Sequence, residues 1–321
     1  MRAYTMRNFL KHLFGKNVKP VLSEPTREEV TTATSIETEP TTPPTATGDL
    51  NAVVVSDIGN VRKNNEDTGL FVRLADEGIR RFKGYLLLVA DGMGGHLAGE
   101  IASQMAAEIV SREYFQHRDT AEKSLMRAFQ LANRQIYDES HQHETFRGMG
   151  TTCTAVVVHN EQIVFAHVGD SRAYLFKNGQ LIQLTEDHTY VQELIKKGEI
   201  DEATAARHPE RNVLTQAMGT KPDLRVDIGR CILPFDPGDR LLLCSDGLYE
   251  YCREDDLIRL LQQESLPNVA AELVQMAKNR GGHDNITVVL AERTTTSVQP
   301  PPRETREIEV PITLDYELPH E

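Results

Sequence analysis

The sequence predicts an α+β fold in which largely antiparallel sheets are covered by helices. Two observations lead to this prediction. Short runs rich in β-branched residues or leucine recur along the chain, each bounded by turn residues, as strands do. Longer stretches with an apolar residue every three or four positions come in pairs, as expected of helices that pack side by side. Many strands at hairpin spacing, together with paired helices, are typical of the α+β class.

The predicted strands are short and closely spaced. Asn178-Gly179 lies between two of them and is a strong signal for a two-residue hairpin. In order, the runs are AVVVSD (52–57), GLFV (69–72), YLLLVAD (85–91), TTCTAVVVHN (151–160), QIVFAHVGD (162–170), RAYLFKN (172–178), QLIQLT (180–185), DRLLLCSD (239–246) and NITVVLAER (285–293).

Four helices are predicted between and after these strands. Two of them follow residues 254–262 and 268–280, and the segment 185–220, which is polar and poor in strand patterns, is interpreted as an insertion or lid over the sheets. The other two helices have apolar stripes at Ile101, Met105 and Ile109, and at Leu125, Phe129, Ala132 and Ile136.

Composition excludes several classes of protein. The 321 residues carry a net charge of −13, so a protein that binds the phosphate backbone of nucleic acids is not expected. No stretch approaches the roughly 20 apolar residues of a membrane helix. The four cysteines, Cys153, Cys231, Cys244 and Cys252, form no CxxC pair and are expected to be free thiols in a reducing compartment.

The two ends of the chain differ in composition from the predicted domain, 49–293. Residues 1–20 carry five positive charges and no negative ones, and they allow a short basic amphipathic helix, although a frayed tail is the simpler interpretation. Residues 23–48 hold nine Thr and four Pro and are expected to be a disordered linker. Residues 294–321 form a Pro-rich, acidic tail in which VPITLDYELP could add a strand. Lys11 and Lys16 interrupt any signal-peptide core, so a cytoplasmic protein is expected.

Carboxylates follow several of the predicted strands. Any one of them could be a turn residue, because Asp-Gly is a common turn dipeptide. If several buried strand ends meet, however, their carboxylates meet as well and cannot all stay ionised without a compensating charge. Hard divalent cations are the natural source of that charge, and glycine lets a backbone carbonyl approach them. Asp91 followed by Gly92, Asp170 and Asp246 stand at the ends of predicted strands, whereas Glu66, Asp67 and Asp284 come just before predicted strands.

A pair of metal ions held by carboxylates suits the hydrolysis of phosphate esters. Arg62, four residues before Glu66, offers a planar guanidinium for the phosphate oxygens, although a surface charge is equally compatible with the sequence. Other phosphate-binding patterns do not fit. Gly-Met-Gly-Gly after Asp91 fails the GxGxxG spacing at Leu97, and GxxxxGK[ST] and HExxH motifs are absent from the sequence.

The sequence resembles the PPM family of metal-dependent protein serine/threonine phosphatases, also called PP2C, and its bacterial branch in particular. The resemblance covers roughly residues 52–292, in the family's order. The stretches that carry it are SDIGNVRKNNED, VADGMGGHLAGEIAS, GMGTTCTAVVV, AHVGDSRAYLF, LTEDHTYVQELIKKGEI, HPERNVLTQAMG, LLLCSDGLYE and GGHDNITVVL.

The resemblance implies an αββα sandwich, with metal ions in a cleft at one edge of two antiparallel sheets. It also implies roles for single residues. Asp91 bridges two ions, Arg62 binds the substrate phosphate, and Asp170 belongs to a third, more labile ion. The remaining implied ligands are the Gly92 carbonyl, Asp246, Asp284, and Glu66 and Asp67, directly or through water.

The chain departs from the family at two positions. Some members have His directly after the Asp-Gly pair, where it is proposed as the general acid, but this chain has Met93, which cannot donate a proton. Gln216 stands in the lid where relatives often carry Arg, and this difference concerns substrate preference.

The expected function is therefore hydrolysis of phosphoserine and phosphothreonine on proteins by a monomer. Two Mn²⁺ or Mg²⁺ ions activate the water, and a Ser/Thr kinase is the expected partner enzyme. Two alternatives stay open, namely a pseudophosphatase that acts as a binding module and a phosphatase of small molecules. The linker threonines, such as Thr31 and Thr32, are candidate kinase sites.

Overall fold

The computed structural model describes residues 49–94 and 97–294. The predictions for the N-terminal helix, the Thr-rich linker and the VPITLDYELP strand lie outside these residues. The strands within them are β1 (Leu50–Asp57), β2 (Asp67–Val72), β3 (Tyr85–Met93), β4 (Gly150–Thr151), β5 (Cys153–His159), β6 (Gln162–Val168), β7 (Arg172–Lys177), β8 (Gln180–Gln183), β9 (Asp227–Arg230), β10 (Arg240–Cys244) and β11 (Ile286–Arg293).

The helices carry recognisable start signals. Asp76, Thr120, Thr189 and Asp201 each accept a hydrogen bond from a backbone N–H of the first turn that follows them. In chain order the helices are α1 (Glu77–Lys83), α2 (Leu97–Gln116), α3 (Ala121–Gln142), α4 (Tyr190–Lys196), α5 (Glu202–Ala205), α6 (Asp246–Tyr249), α7 (Glu254–Leu261) and α8 (Leu266–Asn279), with a 3-10 turn at Glu144–Phe146.

The strands form two antiparallel sheets. The first has the order β1-β11-β10-β7-β8, and the second has the order β2-β3-β5-β6-β9, with β4 paired to the end of β3. Every pairing between these strands is antiparallel. The tight hairpin predicted at Asn178-Gly179 joins β7 to β8, and both of its central residues have positive φ.

Three apolar layers hold the sheets and helices together. Residues that alternate along β3 separate into two of them, with Leu86 and Leu88 packing against α2 and α3, and Leu87 and Val89 facing the other sheet. The outer face of the first sheet packs on α7 and α8 in the same way. The order of layers is therefore helix, sheet, sheet, helix, which confirms the predicted αββα sandwich.

Several short elements were not predicted from the sequence. The strand β4 has two residues and β9 is the four-residue run DIGR. The helices α1, α4, α5 and α6 have four to seven residues each, too few for a periodic pattern to stand out. The strand β9 forms because its backbone pairs with β6 at the edge of the second sheet. Between β8 and β9, the segment predicted as a lid contains α4 and α5.

Candidate metal centre

The strand ends bring the predicted carboxylates together at one edge of the sandwich. Asp67, the first residue of β2, lies directly opposite Asp91 in the antiparallel register of β2 and β3. Burial, followed by the charges of Asp67, Asp246, Asp170 and Asp284, raises the pKa of Asp91 well above its usual value. The five carboxylates are therefore close enough to repel one another, as expected if buried strand ends meet.

Two of these carboxylates have an oxygen that no group in the described part of the chain satisfies. The Oδ1 atoms of Asp67 and Asp246 are buried and have no hydrogen-bond partner among residues 49–94 and 97–294. Burial also raises the pKa of Asp67 to about 6, against the stabilising hydrogen bond from Ser245, and raises that of Asp246. Buried oxygens without partners beside like charges fit a site built for a cation with oxygen ligands. The donor set therefore suits Mn²⁺ or Mg²⁺.

Arg62 is bonded to Asp284, one of the carboxylates predicted to hold a cation. Its Nη2 lies 2.5 Å from Oδ2 of Asp284, and its side chain is 49% exposed. Among residues 49–94 and 97–294, no group of three or more His, Cys, Asp or Glu side chains is arranged to hold an ion as it stands. If Asp284 is a metal ligand, as predicted, its Oδ2 has to exchange the guanidinium of Arg62 for the ion.

Gly92 is the crossing point of three backbone segments. A Cβ at this position would lie 2.0 Å from the carbonyl oxygen of Gly99 and 2.6 Å from that of Glu66. The Gly92 N–H also donates to the Glu66 carbonyl over 3.1 Å. The described structure thus explains this glycine by close packing, and the ligand role of its own carbonyl stays a prediction.

Glu66 lies at the same edge of the sandwich and is held there by its neighbours. Its backbone N–H donates to Oδ1 of Asn285 over 2.8 Å. Its carboxylate reaches Gly99 at the start of α2, because a Cβ on Gly99 would lie 2.7 Å from Oε2 of Glu66. Glu66 and Gly99 both pack against Gly92, the residue after Asp91, so Glu66 lies near Asp91.

Asn285 is a site residue that the sequence analysis missed. Its amide nitrogen donates to the carbonyl oxygens of Ile58 and Asn64, at 3.0 Å each, while its oxygen accepts the Glu66 N–H. One buried side chain thus ties β11 to the loop that carries Arg62 and Glu66. A sequence signal existed, since an amide directly after Asp284 at the start of a strand is well placed to bond to a neighbouring loop.

Hydroxyl groups position the two facing carboxylates. Ser245 donates its Oγ hydrogen to Oδ2 of Asp67 over 2.7 Å, and its Oγ accepts the Thr287 N–H over 3.0 Å. On the other side, Oγ1 of Thr152 accepts the Asp91 N–H over 2.9 Å. These contacts hold the ends of β2 and β3 in place and leave Oδ1 of Asp67 buried without a partner among the described residues.

Asp170 lies beside Asp246 in a second acidic group. Burial, and next the charge of Asp187, raises its pKa to about 7. Asp187 is itself neutralised by Arg172, whose nitrogens lie 2.6–3.1 Å from its oxygens and whose guanidinium stacks 3.7 Å from the Tyr249 ring. The charge of Asp170 acts on both Asp91 and Asp246, and the additional ion expected beside it stays a prediction.

Met93 ends β3 at the mouth of the cleft. It pairs with Gly150 of β4, and a Cβ on Gly150 would lie 2.8 Å from the Met93 methyl carbon. The residue at this position is half-buried and cannot exchange a proton.

Comparisons with known proteins agree on one family. Residues 75–291 match the family model described as "Protein phosphatase 2C". The "Serine/threonine phosphatase stp" of Listeria monocytogenes is 38% identical over 254 residues, which are 77% of this chain and 97% of that protein.

Solved structures agree as well. The serine/threonine phosphatase of S. agalactiae is 35% identical with a TM-score of 0.70, over 76% of this chain and 100% of that one. The catalytic domain of the phosphatase PstP, solved with two manganese ions, is 33% identical with a TM-score of 0.66, over 77% and 99%.

Proposed function

Since the chain belongs to the protein phosphatase 2C family and is a serine/threonine phosphatase of that type, we propose that it hydrolyses phosphoserine and phosphothreonine on proteins with two divalent metal ions. The observation that carries this proposal is the group of buried carboxylates around Asp91, two of which have an oxygen without a partner. The two manganese ions in the PstP catalytic domain support the same stoichiometry.

The residues divide the work of the reaction between them. We propose that Asp91, Asp246 and Asp284 would hold the ions, together with Glu66, Asp67 and the Gly92 carbonyl, and that Asp170 would bind a third ion. When bound, the ions supply positive charge for the phosphoryl oxygens and lower the pKa of a bound water.

Arg62 is placed to orient the substrate. Its half-exposed guanidinium, released from Asp284, can pair with two phosphate oxygens at once. In the overall reaction, a water oxygen bonds to phosphorus as the bond to the Ser or Thr oxygen breaks. Inorganic phosphate and the free hydroxyl are released, and no phosphoenzyme forms.

Hydrolysis of p-nitrophenyl phosphate tests the metal centre directly. We expect EDTA to abolish activity and Mn²⁺ or Mg²⁺ to restore it. Asp91→Ala and Asp246→Ala should each lose at least about 100-fold, because even residues that only orient metal ligands cost 10- to 100-fold. The matched control is Asp255→Ala, an exposed carboxylate in the first turn of α7. Activity of either centre variant at the level of this control would refute the assignment.

Metal titration by calorimetry separates the enzyme from the alternative of a pseudophosphatase. An enzyme should bind Mn²⁺ at two sites, and Asp91→Ala should weaken both, whereas a module that only binds phosphoproteins should show no tight divalent site. Comparison of a phosphothreonine peptide with phosphorylated metabolites separates a protein phosphatase from a phosphatase of small molecules.

The cellular setting is also proposed. We expect a cytoplasmic monomer that reverses the action of a cognate Ser/Thr kinase. No helix in the described part of the chain is long and apolar enough to cross a membrane. Capture of phosphoproteins by Asp284→Asn, followed by mass spectrometry, identifies substrates, and recovery of no phosphoprotein above an Asp255→Asn control would count against this role.

A further inference from the structure

A groove opens at the base of the segment between β8 and β9. It has a volume of about 440 Å³ and runs along residues 215–225, which we call the 215–225 groove. Its apolar lining comes from residues such as Ala217 and Leu224, and its cationic side chains are Lys221 and Arg225. A cleft of this size accommodates a few residues of an extended peptide.

The 215–225 groove lies near the candidate metal centre along the backbone. Met218, a buried residue next to Ala217 of the groove lining, exchanges two backbone hydrogen bonds with Thr151 of β4, of 2.8 and 3.1 Å. Thr151 in turn pairs with Gly92 of β3. Two strand spacings, roughly 10 Å in total, therefore separate Met218 from Gly92. An extended peptide covers about 3.3–3.6 Å per residue, so the distance corresponds to about three residues.

One wall of the 215–225 groove is held rigidly by α3. Asn133, which is buried, donates to the carbonyl oxygens of Lys221 and Pro222 and accepts the Gly219 N–H, all within 2.8–3.1 Å. Gly219 has a φ of +81° and packs on Ile136, where a Cβ would lie 2.3 Å from a methyl carbon. Because its wall is preorganised, the groove does not have to be ordered when a ligand binds.

The charge of the groove differs from that of the protein as a whole. Lys221 and Arg225 are exposed on its lining, with Asp223 as the opposing carboxylate. Arg225 is 78% exposed, and its Nε lies 3.5 Å from Asp227, a distance at which an exposed pair is weak. The lining thus carries a net positive charge on a chain whose total is −13.

We propose that the 215–225 groove binds the segment of a phosphoprotein substrate that flanks the phosphorylated residue, and that Lys221 and Arg225 favour an acidic side chain two to four residues away from it. The inference rests on the proposed function and specifies its substrates. The backbone pairs from Met218 to Gly92 set the approximate distance, and the two cations set the charge.

A series of phosphothreonine peptides tests this directly. Each peptide carries one Glu or one Lys at a single position between −4 and +4. The readout is the ratio of kcat/KM for the Glu peptide to that for the Lys peptide, measured in Mn²⁺. Because both values come from one enzyme preparation, any change in catalytic power cancels. We expect wild type to favour Glu at a position two to four residues from the phosphothreonine, by about tenfold if both cations contribute.

Charge reversal identifies the residues responsible. Lys221→Glu and Arg225→Glu should each lower the ratio by about threefold or more at that position. The matched control is Arg81→Glu, whose side chain is 80% exposed and paired with Glu77 in α1. Since α1 precedes the nine residues of β3, this control lies at the end of the strand opposite Met93, roughly 25 Å away.

The possible outcomes distinguish failure of the groove inference from failure of the proposed phosphatase function. If wild type hydrolyses the peptides but shows the same ratio as both groove variants, the groove does not read charge and the inference is wrong. If Arg81→Glu lowers the ratio as much as the groove variants, the effect is that of total charge and the inference is also wrong. If wild type hydrolyses no phosphopeptide but cleaves p-nitrophenyl phosphate, both the inference and the proposed protein substrates are refuted.

Discussion

Asp67 and Asp91 face each other across the antiparallel pair of β2 and β3. The backbone register sets this relationship, so their carboxyl groups stay close whatever the side chains do, since facing Cα atoms in such a pair lie about 4.5–5.5 Å apart. Their ionised forms repel each other inside the protein, and burial adds to the penalty. A bound cation would offset the electrostatic repulsion between these two carboxylates.

Asp91→Asn should therefore raise the stability of the metal-free protein and, like Asp91→Ala, lower the catalytic activity. The asparagine keeps the shape of the side chain and removes one buried charge, so we expect the free energy of unfolding in EDTA at pH 7.5 to rise. Urea denaturation measures this. Excess Mn²⁺ should stabilise wild type strongly and the variant little, because only the intact site binds the ion tightly. A variant that is less stable than wild type in EDTA would contradict the argument.

The metal-free protein should become less stable as the pH rises from about 4 to about 7. Burial raises the pKa of Asp170 from 3.8 to about 7, so over this range the folded protein holds a proton that the unfolded chain has released. The stability from this proton is fully present below the unfolded pKa and is lost as the pH passes the folded pKa. Asp67 contributes in the same direction up to about pH 6.

The measurement is the free energy of unfolding in EDTA at pH 5 and at pH 7.5. Wild type should lose more stability over this interval than Asp170→Asn does, by about 1 kcal/mol or more. The difference between the two proteins removes the contribution of titrating groups that lie away from Asp170 and leaves that of Asp170 together with its effect on Asp91 and Asp246. An equal loss in both would show that Asp170 holds no extra proton in the folded state.

Asn285→Ala should loosen the loop that carries Arg62. It removes two donated hydrogen bonds and one accepted one at a buried position, with an expected cost of about 1–3 kcal/mol in the free energy of unfolding. Because the loop positions the phosphate-binding guanidinium, we also expect KM for p-nitrophenyl phosphate to rise by more than kcat falls.

Urea denaturation and steady-state kinetics check both effects of the Asn285 substitution. The control is Gln275→Ala, an exposed amide on α8 that bonds to Asn279 in the same helix. A loss of stability with an unchanged KM would show that Asn285 supports the fold alone and does not position Arg62.

Much of this molecule could be predicted from its sequence, because apolar runs ending in Asp mark the strands and the edge at which they meet. Three features could not be predicted this way. The pairing of Asp67 with Asp91 depends on register, which no single strand specifies. The contact of Arg62 with Asp284 joins residues 222 positions apart. The role of Asn285 depends on the path of a loop without a periodic pattern. Each depends on tertiary contacts rather than on local composition.

Met93→His should raise the rate for alkyl phosphates more than the rate for aryl phosphates. Some members of the family have His, proposed as the general acid, at the position of Met93, whose side chain has no proton to give. Met93 pairs with Gly150 at the end of β3, next to Gly92. The p-nitrophenolate ion leaves without help, whereas the alkoxide of serine needs a proton, and a well-placed general acid contributes about 10²–10⁴-fold. In a site that did not evolve around an imidazole, we expect a gain of up to about tenfold.

The measurement is the ratio of kcat for a phosphoserine peptide to kcat for p-nitrophenyl phosphate, followed from pH 5.5 to 8.5. The ratio should be highest below about pH 6.5, where an ordinary imidazole is protonated, and should fall above it. Met93→Leu is the control, since it keeps an apolar side chain of similar size and should show the wild-type ratio at every pH. A histidine variant whose ratio equals that of Met93→Leu throughout would place the proton donor elsewhere in the cleft.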